Sequence, residues 1–225
     1  MGHETSNLIS ESIFITGTDT DVGKTWVALL LMQALKSRGL KVAAMKPIAC
    51  GCEALPQGLR NDDALALMAE ASVEIPYDIV NPYAFAPPIA PHIAANQAVT
   101  KIDINKIKDC YWQIKSQVDI VVVEGAGGWL VPISDTHTSA DMVAACNWPV
   151  LLVVAMRLGC LNHALLSVES IRASSNELIG WVANSLGTEM QNHKQNVTYL
   201  QAKIEARLLA KIPRLTEALQ GENYF

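Results

Sequence analysis

The chain has 225 residues and a net charge of −5 at pH 7; 50% of its residues are hydrophobic and 17% are charged. This composition excludes a disordered chain and predicts a single globular domain spanning residues 1–225. The acidic balance without a Lys/Arg run argues against nucleic acid or an anionic membrane as a partner, and the lack of a signal stretch or an apolar run of ~18 residues predicts a cytoplasmic protein.

Strand-like apolar runs alternate with helical segments along the chain. A strand at Ser12–Thr16 precedes a Gly-containing loop and a helix over Lys24–Ser37. A second strand is predicted at Lys41–Met45 and a helix near Asp62–Ala71. The prolines from Pro76 to Pro91 predict an ordered loop without regular helix. The remaining predicted elements are helices at Ile104–Gln117, Ser139–Cys146, Asn162–Ala173 and Asn196–Arg207, and strands at Asp119–Val123, Pro149–Ala155, Ile179–Ala183 and Leu209–Ile212.

The strand-like runs lack the alternation of apolar and polar residues that a half-exposed sheet shows. Continuous apolar strands are buried on both faces, as in parallel sheets. Together with the β–α alternation, they predict an α/β fold of three layers with a doubly wound, mostly parallel sheet. Ligands bind at the carboxyl ends of the strands in such folds, so polar residues that directly follow strands are the candidates for a functional site.

The segment Gly17–Thr25 connects the first strand to the first helix and ends in Gly-Lys-Thr. Such a loop binds phosphate through backbone N–H groups and the helix N-terminus, with a Lys reaching the phosphates and a Thr hydroxyl suited to Mg²⁺. Five residues instead of the usual four separate Gly17 from Gly23, so Thr18 stands where the first glycine is expected. We interpret the segment as a phosphate loop of the P-loop NTPase type; an ordinary strand–helix turn is the alternative.

Two ionisable residues follow other predicted strands. Lys46 precedes the small segment 48–51, which fits a backbone close to a ligand; a solvated surface Lys is the alternative. Glu124 precedes Gly125-Ala-Gly-Gly128 and is a candidate Mg²⁺ ligand, since Mg²⁺ takes one or two carboxylates besides phosphates and water. A carboxylate that caps the following turn is the alternative for Glu124.

Further acidic residues allow two interpretations. Asp62 and Asp63 begin a helix, where one is expected as the N-cap and the other is available to a metal. Asp19 and Asp21, inside the phosphate loop, are either turn formers or groups directed at a cationic substrate. The five cysteines form no C-x-x-C pair and are interpreted as reduced thiols; the histidines lack metal-ligand spacing, and the tryptophans are assigned to the core or an interface.

A set of sequence blocks together resembles the dethiobiotin synthetase family over about Ile13 to Leu215. These blocks are Gly17–Thr25, Lys46-Pro47, Gly58–Leu67, Asn81–Tyr83, Pro91-His92, Glu124–Trp129, Leu158–His163 and Gly180–Asn184. The resemblance implies an ATP-dependent ligase of biotin synthesis that converts 7,8-diaminopelargonic acid, CO₂ and ATP to dethiobiotin, ADP and phosphate. One substrate amine captures CO₂ as a carbamate, a carbamate oxygen attacks the γ-phosphate to give a mixed carbamic–phosphoric anhydride, and the second amine closes the ureido ring and expels phosphate.

The resemblance also implies Mg²⁺ as a cofactor, a homodimer, and roles for individual residues. Catalytic roles are implied for Thr20, Lys24 and Lys46, and metal ligation for Thr25, Asp63 and Glu124. The implied ATP contacts are Asp21, Val22, Gly23, Lys24, Thr25, Trp26, Asp63, Glu124, Asn184 (at the adenine edge), Pro213, Arg214 and Leu215. The implied substrate contacts are Thr20, Asp21, Lys46, Cys50, Gly127 and Gly128, with Cys160, Leu161 and Asn162 of the other subunit at the tail carboxylate. Family members often carry Glu at the position of Asp21 and Ser at that of Cys50.

Two other function classes share the predicted fold. A nucleotide-switched ATPase of the partitioning type usually carries an extra Lys early in the phosphate loop, where this chain has Asp19. A different amido- or carboxy-ligase would have the same loop, and only the blocks around Glu124 and Asn162 argue against it. All three classes therefore remain open from the loop alone.

Overall fold

The structure is a computed structural model that describes residues 11–185, 190–213 and 224–225. Its strands are β1 (Ser12–Gly17), β2 (Val42–Met45), β3 (Ile48–Cys50), β4 (Glu53–Leu55), β5 (Gly58–Arg60), β6 (Tyr83–Phe85), β7 (Ile120–Gly128), β8 (Val150–Ala155), β9 (Leu178–Asn184) and β10 (Leu208–Ile212). Its helices are α1 (Lys24–Ser37), α2 (Asp62–Glu70), α3 (Tyr77–Val80), α4 (Pro91–Gln97), α5 (Ile104–Lys115), α6 (Ser139–Cys146), α7 (Cys160–Ala173) and α8 (His193–Lys203).

The central sheet has the strand order β10-β9-β8-β1-β7-β2. Every neighbouring pair in it is parallel. All six residues of β1 and of β8 are buried, as continuous apolar strands require. The predicted parallel α/β sheet is confirmed.

Successive residues of the central strands pack into different halves of the core. Phe14 joins a cluster with Trp148, whose ring stacks on it at 6.0 Å between centroids. Ile15 joins a second cluster with Leu30 of α1. Because neighbouring side chains of a strand point to opposite faces, the two clusters show that both faces of the sheet are covered. This arrangement confirms the three-layer, doubly wound prediction.

The structure corrects three local predictions. The stretch from Pro76 to Pro91 contains the short helix α3 and the strand β6. Pro76 is the N-cap of α3 and Pro91 is the first residue of α4, and proline is tolerated at such helix starts. The N-cap of α2 is Asn61, whose side chain accepts a hydrogen bond from the Ala64 N–H. The strand predicted at Asp119–Val123 begins at Ile120 and continues through Glu124 to Gly128, with an irregular register opposite β1.

The carboxyl ends of the central strands place the candidate residues along one edge of the sheet. The phosphate loop follows β1, Lys46 follows β2 and Asn184 ends β9. Glu124 lies within β7 opposite Ile15 of β1, so it reaches the same edge from the neighbouring strand. The short sheets β3-β6 and β4-β5 lie outside this order, in the segment after Lys46. Within the described residues, no helix is long and apolar enough to cross a membrane.

Candidate active site

The phosphate loop (Gly17–Thr25) is shaped by two glycines. Gly23 is the N-cap of α1 at φ 84°, a left-handed conformation that side-chain-bearing residues rarely adopt. A Cβ on Gly17 would lie 2.4 Å from Val22 Cγ2 and 2.9 Å from the carbonyl oxygen of Asp19. The loop therefore folds back on its own start, which leaves the N-terminus of α1 open to an anion.

Lys24 lies at the start of α1 and is only 7% exposed. Its ammonium donates a hydrogen bond to the carbonyl oxygen of Asp19 at 3.3 Å. Burial, together with the positive charge of Lys46, lowers the pKa of Lys24. An anion such as a phosphate that approaches this ammonium would therefore stabilise its charged form.

Asp19 is a turn former whose carboxylate has two partners. Its Oδ1 accepts the Thr20 N–H at 2.8 Å, and its Oδ2 pairs with the guanidinium of Arg157, just beyond β8. Asp21 is exposed, lies at φ 54° and lines the cavity described below. The sequence left the roles of these two aspartates open. In the structure, Asp19 stabilises the loop, whereas Asp21 faces the cavity. Arg157 was not among the predicted site residues, and a single Arg after a strand gives no signal of such a partner.

Lys46 forms a buried ionic cluster with two carboxylates. Its Nζ lies 2.6 Å from Glu124 Oε1 and 2.9 Å from Asp63 Oδ2. The side chains of Lys46 and Glu124 are 6% and 1% exposed. Burial opposes the charge of Lys46, but the two carboxylates outweigh it and raise the pKa of Lys46. Burial likewise opposes the charge of Asp63, and Lys46 outweighs it and lowers the pKa of that carboxyl. The cluster thus excludes both alternatives, a solvated Lys46 and a Glu124 that merely caps a turn.

Glu124 presents one carboxylate oxygen without a partner. Its Oε1 accepts hydrogen bonds from Lys46 and, at 2.9 Å, from the Thr25 hydroxyl. Its Oε2 is buried and has no hydrogen-bond partner in the part of the chain that the structure describes. A buried carboxylate oxygen without a donor is costly unless a cation or water satisfies it. The oxygen donors of Thr25, Asp63 and Glu124 are of the kind that Mg²⁺ prefers, so these residues fit that ion.

A network of uncharged groups holds the backbone at Lys46. The Lys46 N–H donates to the carbonyl oxygen of Val80, and the Asn81 amide donates to the carbonyl oxygen of Lys46 at 2.6 Å. The Tyr77 hydroxyl donates to Asn81 Oδ1 and accepts the Asn61 N–H. Asn81 is only 3% exposed. The sequence blocks contain Asn61 and Asn81, but their roles as supports of Lys46 and α2 were not predicted, since the contacts span up to 35 residues of sequence.

A cavity of about 1060 Å³ lies over this edge of the sheet. It brings together most of the predicted site residues, and its lining includes Thr20, Asp21, Gly23, Lys24, Thr25, Trp26, Lys46, Cys50, Asp63, Glu124 and Gly127. Among the residues that the structure describes, seven other predicted site residues do not line it: Val22, Gly128, Cys160, Leu161, Asn162, Asn184 and Pro213. The predicted ATP contacts Arg214 and Leu215 lie outside the described residues.

Two residues that line the cavity, Gly127 and Cys50, have distinctive surroundings. A Cβ on Gly127, which lies at φ +65°, would meet Val131 Cγ2 at 2.9 Å and Thr20 Oγ1 at 3.5 Å. Gly127 therefore allows β7 to approach the phosphate loop beside Thr20. Across the cavity, burial raises the pKa of the Cys50 thiol to about 11, so this thiol is protonated near neutral pH.

Asn184 supports the phosphate loop from β9. Its Nδ2 donates to the carbonyl oxygen of Val22 at 2.8 Å, and the residue is 1% exposed. This contact joins the last turn of the loop to a strand two positions away in the sheet. Among the described residues, the Asn184 side chain makes no other hydrogen bond, and its amide also carries an Oδ1 acceptor and a second Nδ2 hydrogen. Pro213 is exposed just after β10, at the same edge.

The residues at the N-terminus of α7 do not line this cavity. Its N-cap, Gly159, lies at φ 93° and leaves the first N–H groups of the helix without a side-chain cap. Leu158 just before it is 95% exposed, and Leu166 of α7 is 57% exposed. Cys160, Leu161 and Asn162 therefore do not meet the predicted site of their own chain.

Comparisons with solved structures place the fold. The MinC:MinD cell division protein complex of Aquifex aeolicus matches with a TM-score of 0.59 at 17% identity, covering 95% of this chain and 86% of that one. A ParA family ATPase of Chlorobium tepidum matches with a TM-score of 0.56 at 13% identity, covering 92% and 86%. At these identities the likeness establishes the P-loop NTPase fold and no more.

Sequence comparisons are more specific. A family model described as an AAA domain matches residues 11–221. The chain is 46% identical over 213 residues to a protein of Aeromonas hydrophila named ATP-dependent dethiobiotin synthetase BioD, covering 94% of both chains. It is 44% identical over 209 residues to one of Escherichia coli O157:H7 named ATP-dependent dethiobiotin synthetase BioD 1, covering 93% of both. At this identity over nearly the full length, the chain belongs to the ATP-dependent dethiobiotin synthetase family.

Proposed function

We propose that this protein is an ATP-dependent dethiobiotin synthetase. It carboxylates 7,8-diaminopelargonic acid with CO₂ and closes the ureido ring, releasing ADP and phosphate. The observation that carries this proposal is the cluster of the buried Lys46 and Glu124 with the partly exposed Asp63 beside the phosphate loop, in a protein of this family. We assign the activity to one domain spanning residues 1–225 in the cytoplasm.

The phosphate loop supplies the ATP site in this proposal. Backbone N–H groups at the start of α1 and the ammonium of Lys24 bind the phosphates. Trp26 is half-buried at the cavity wall, where it borders the nucleotide. Asn184 contacts the adenine edge with the part of its amide that Val22 does not use, and Pro213, Arg214 and Leu215 border the base or ribose.

Thr25, Asp63 and Glu124 would hold Mg²⁺ in the complex with ATP. When bound, the ion neutralises charge on the phosphate oxygens. The free Oε2 of Glu124 supports this assignment, because it lacks a donor among the described residues.

Lys46 and the residues around Thr20 act on the carbamate. The Lys46 ammonium stabilises the carbamate and the negative charge on the transferred phosphoryl group, and the carbamate oxygen attacks in line. Thr20 and Asp21 face the cavity from the loop, and Cys50 and Gly127 bound the same space, so these residues position the amines together with Gly128, which directly follows Gly127. The second amine then attacks the carbonyl carbon, phosphate leaves, and the ring closes.

The substrate tail requires a second copy of the chain. We propose a homodimer in which Cys160, Leu161 and Asn162 of one subunit bind the tail carboxylate in the other, through N–H groups at the start of α7. Leu158, just before α7, and Leu166, within it, are exposed in the single chain, and the proposed dimer would cover them.

The function is tested by phosphate release. With Mg·ATP, we expect release to require both the diamine and bicarbonate, and mass spectrometry to find dethiobiotin in equal amount to the phosphate. Brisk ATP hydrolysis that ignores the diamine would contradict the proposal and favour a nucleotide-switched ATPase. Phosphate release that starts only with another amino or carboxylic acid would favour a different ligase of this fold.

A further inference from the structure

The ammonium of Lys46 lies where the three proposed metal donors converge. Its Nζ contacts Glu124 Oε1 at 2.6 Å and Asp63 Oδ2 at 2.9 Å. The Thr25 hydroxyl donates to the same Glu124 oxygen at 2.9 Å. A metal ion bound by Glu124 Oε1 and Asp63 Oδ2 would stand near the point that the ammonium now holds.

In this cluster, the Lys46 ammonium neutralises the carboxylates that would otherwise bind a metal ion. Two carboxylates face one ammonium, and Glu124 is 1% exposed, so water does little to screen its charge. The ammonium leaves one oxygen of Glu124 without a partner among the described residues. An ion with two charges and several coordination positions satisfies such a set more fully than one ammonium does.

We propose that in the nucleotide-free protein Lys46 is the resident counter-ion of the metal site, and that a divalent cation binds by displacing it. This inference rests on the proposed function, since it takes Thr25, Asp63 and Glu124 as the metal donors. It adds that Lys46 and the cation compete for the same carboxylates.

When the divalent cation displaces it, the Lys46 ammonium would move towards the substrate. The backbone of Lys46 is held by the Val80 carbonyl and by the Asn81 amide, so the side chain moves while its base stays in place. Lys46 lines the same cavity as Cys50 and Gly127, so the cavity gives its side chain room to move. The ammonium thus reaches the carbamate only after the cation has replaced it, which prevents phosphoryl transfer without metal.

Cation binding without nucleotide tests the competition. Mn²⁺ serves as the probe for the Mg²⁺ site, and its affinity is measured at pH 8 by electron paramagnetic resonance of the free ion. We expect Lys46→Met to bind Mn²⁺ at least tenfold more tightly than the unmodified protein. The double variant Lys46→Met/Glu124→Gln should lose this gain, which locates the ion at the cluster.

Lys36→Met is the matched control. Lys36 also pairs with a carboxylate at 2.6 Å, that of Glu70, but the pair lies on the surface and its Lys side chain is 35% exposed. We expect its Mn²⁺ affinity to equal that of the unmodified protein. Equal or weaker binding by folded Lys46→Met would overturn the proposal, as would a gain of the same size in Lys36→Met.

A measurement on the unmodified protein covers the case in which Lys46→Met does not fold. In protein with ¹³C,¹⁵N-labelled lysine, assigned with Lys46→Arg, titration with Mg²⁺ should shift the Lys46 side-chain resonances and leave those of Lys36 in place. Unmoved Lys46 resonances at saturating Mg²⁺ would overturn the proposal. Neither measurement needs the diamine, so product formation without ion exchange would refute this inference alone, and ion exchange without product would refute only the proposed function.

Discussion

The ammonium of Lys46 lies 2.6 Å from Oε1 of Glu124, although 78 residues separate the two along the chain. One residue follows β2 and the other lies in β7, and these strands are parallel neighbours at one end of the central sheet. The sheet thus supports a buried ion pair beside the phosphate loop, on the side where the transferred phosphoryl group would lie.

Lys46→Ala should reduce kcat by more than ~10²-fold, because a positioned charge that acts on the transition state is typically worth that much. The truncation also leaves two carboxylates facing each other, so we expect a loss of about 3–5 kcal/mol in unfolding free energy. Both quantities are measured well below the unfolding temperature, with Lys36→Ala as the control. Near-normal turnover in folded Lys46→Ala would remove Lys46 from the mechanism.

Asp63 should make stability depend on pH in the acid range. The folded protein lowers the pKa of Asp63, so its contribution is complete above the unfolded pKa of about 3.9 and is lost as the pH falls through the lower, folded value. The difference in unfolding free energy between the unmodified protein and Asp63→Asn should therefore shrink below about pH 4. Urea denaturation from pH 3 to 7 measures it. Asp62→Asn is the matched control, because Asp62 is exposed on the same helical turn; a difference that grows in acid would be inconsistent with the pairing.

Cys50 should be a slow nucleophile. Burial and the neighbouring Cys52 raise its pKa from 9.0 to about 11, so the thiolate fraction at pH 8 is roughly a hundredth of that in the unfolded chain. Iodoacetamide should alkylate it at a correspondingly lower rate that rises about tenfold per pH unit up to pH 10. Peptide mass mapping follows the site, with urea-unfolded protein as the reference. Equal rates in folded and unfolded protein would contradict the raised pKa.

Arg157 should position the phosphate loop through Asp19. Arg157→Gln removes the guanidinium from a carboxylate that also accepts the Thr20 N–H, so we expect KM for ATP to rise several-fold. Unfolding free energy should change by only about 0–1 kcal/mol, since the pair is half-exposed. Arg157→Lys should recover most of the affinity for ATP, and Arg172→Gln, in a surface pair with Glu205, serves as the control. A large stability loss with unchanged KM would assign Arg157 to the fold instead.

Asn184→Ala should weaken both the fold and ATP binding. It leaves the Val22 carbonyl without its donor in a buried place, which costs about 1–3 kcal/mol in unfolding free energy. If the rest of the amide contacts adenine, kcat/KM for ATP falls more than that for GTP. Steady-state assays with both nucleotides measure the ratio, and Asn176→Ala, in a turn before β9, is the control. Equal losses with ATP and GTP would limit Asn184 to supporting the loop.

The sequence by itself determined the α/β class, the order of the main elements and the phosphate loop. These features are local, because apolar runs, helix starts and a Gly-Lys-Thr at a strand–helix junction are set by neighbouring residues. The helix over Lys24–Ser37 and that over Ser139–Cys146 were predicted to the residue. The blocks around Lys46 and Glu124 indicated the family, and with it the residues to examine.

Only the tertiary structure decided how those residues meet. The N-cap of α2 is Asn61, whereas the sequence offered Asp62 or Asp63, and the free oxygen of Glu124 depends on which donors surround it in space. The partner of Asp19 lies 138 residues away at Arg157, and that of Val22 lies 162 residues away at Asn184. Local sequence sets which side chains stand at the strand ends, whereas the strand order and burial of the folded sheet set which charges become neighbours, and electrostatic energy depends on those distances.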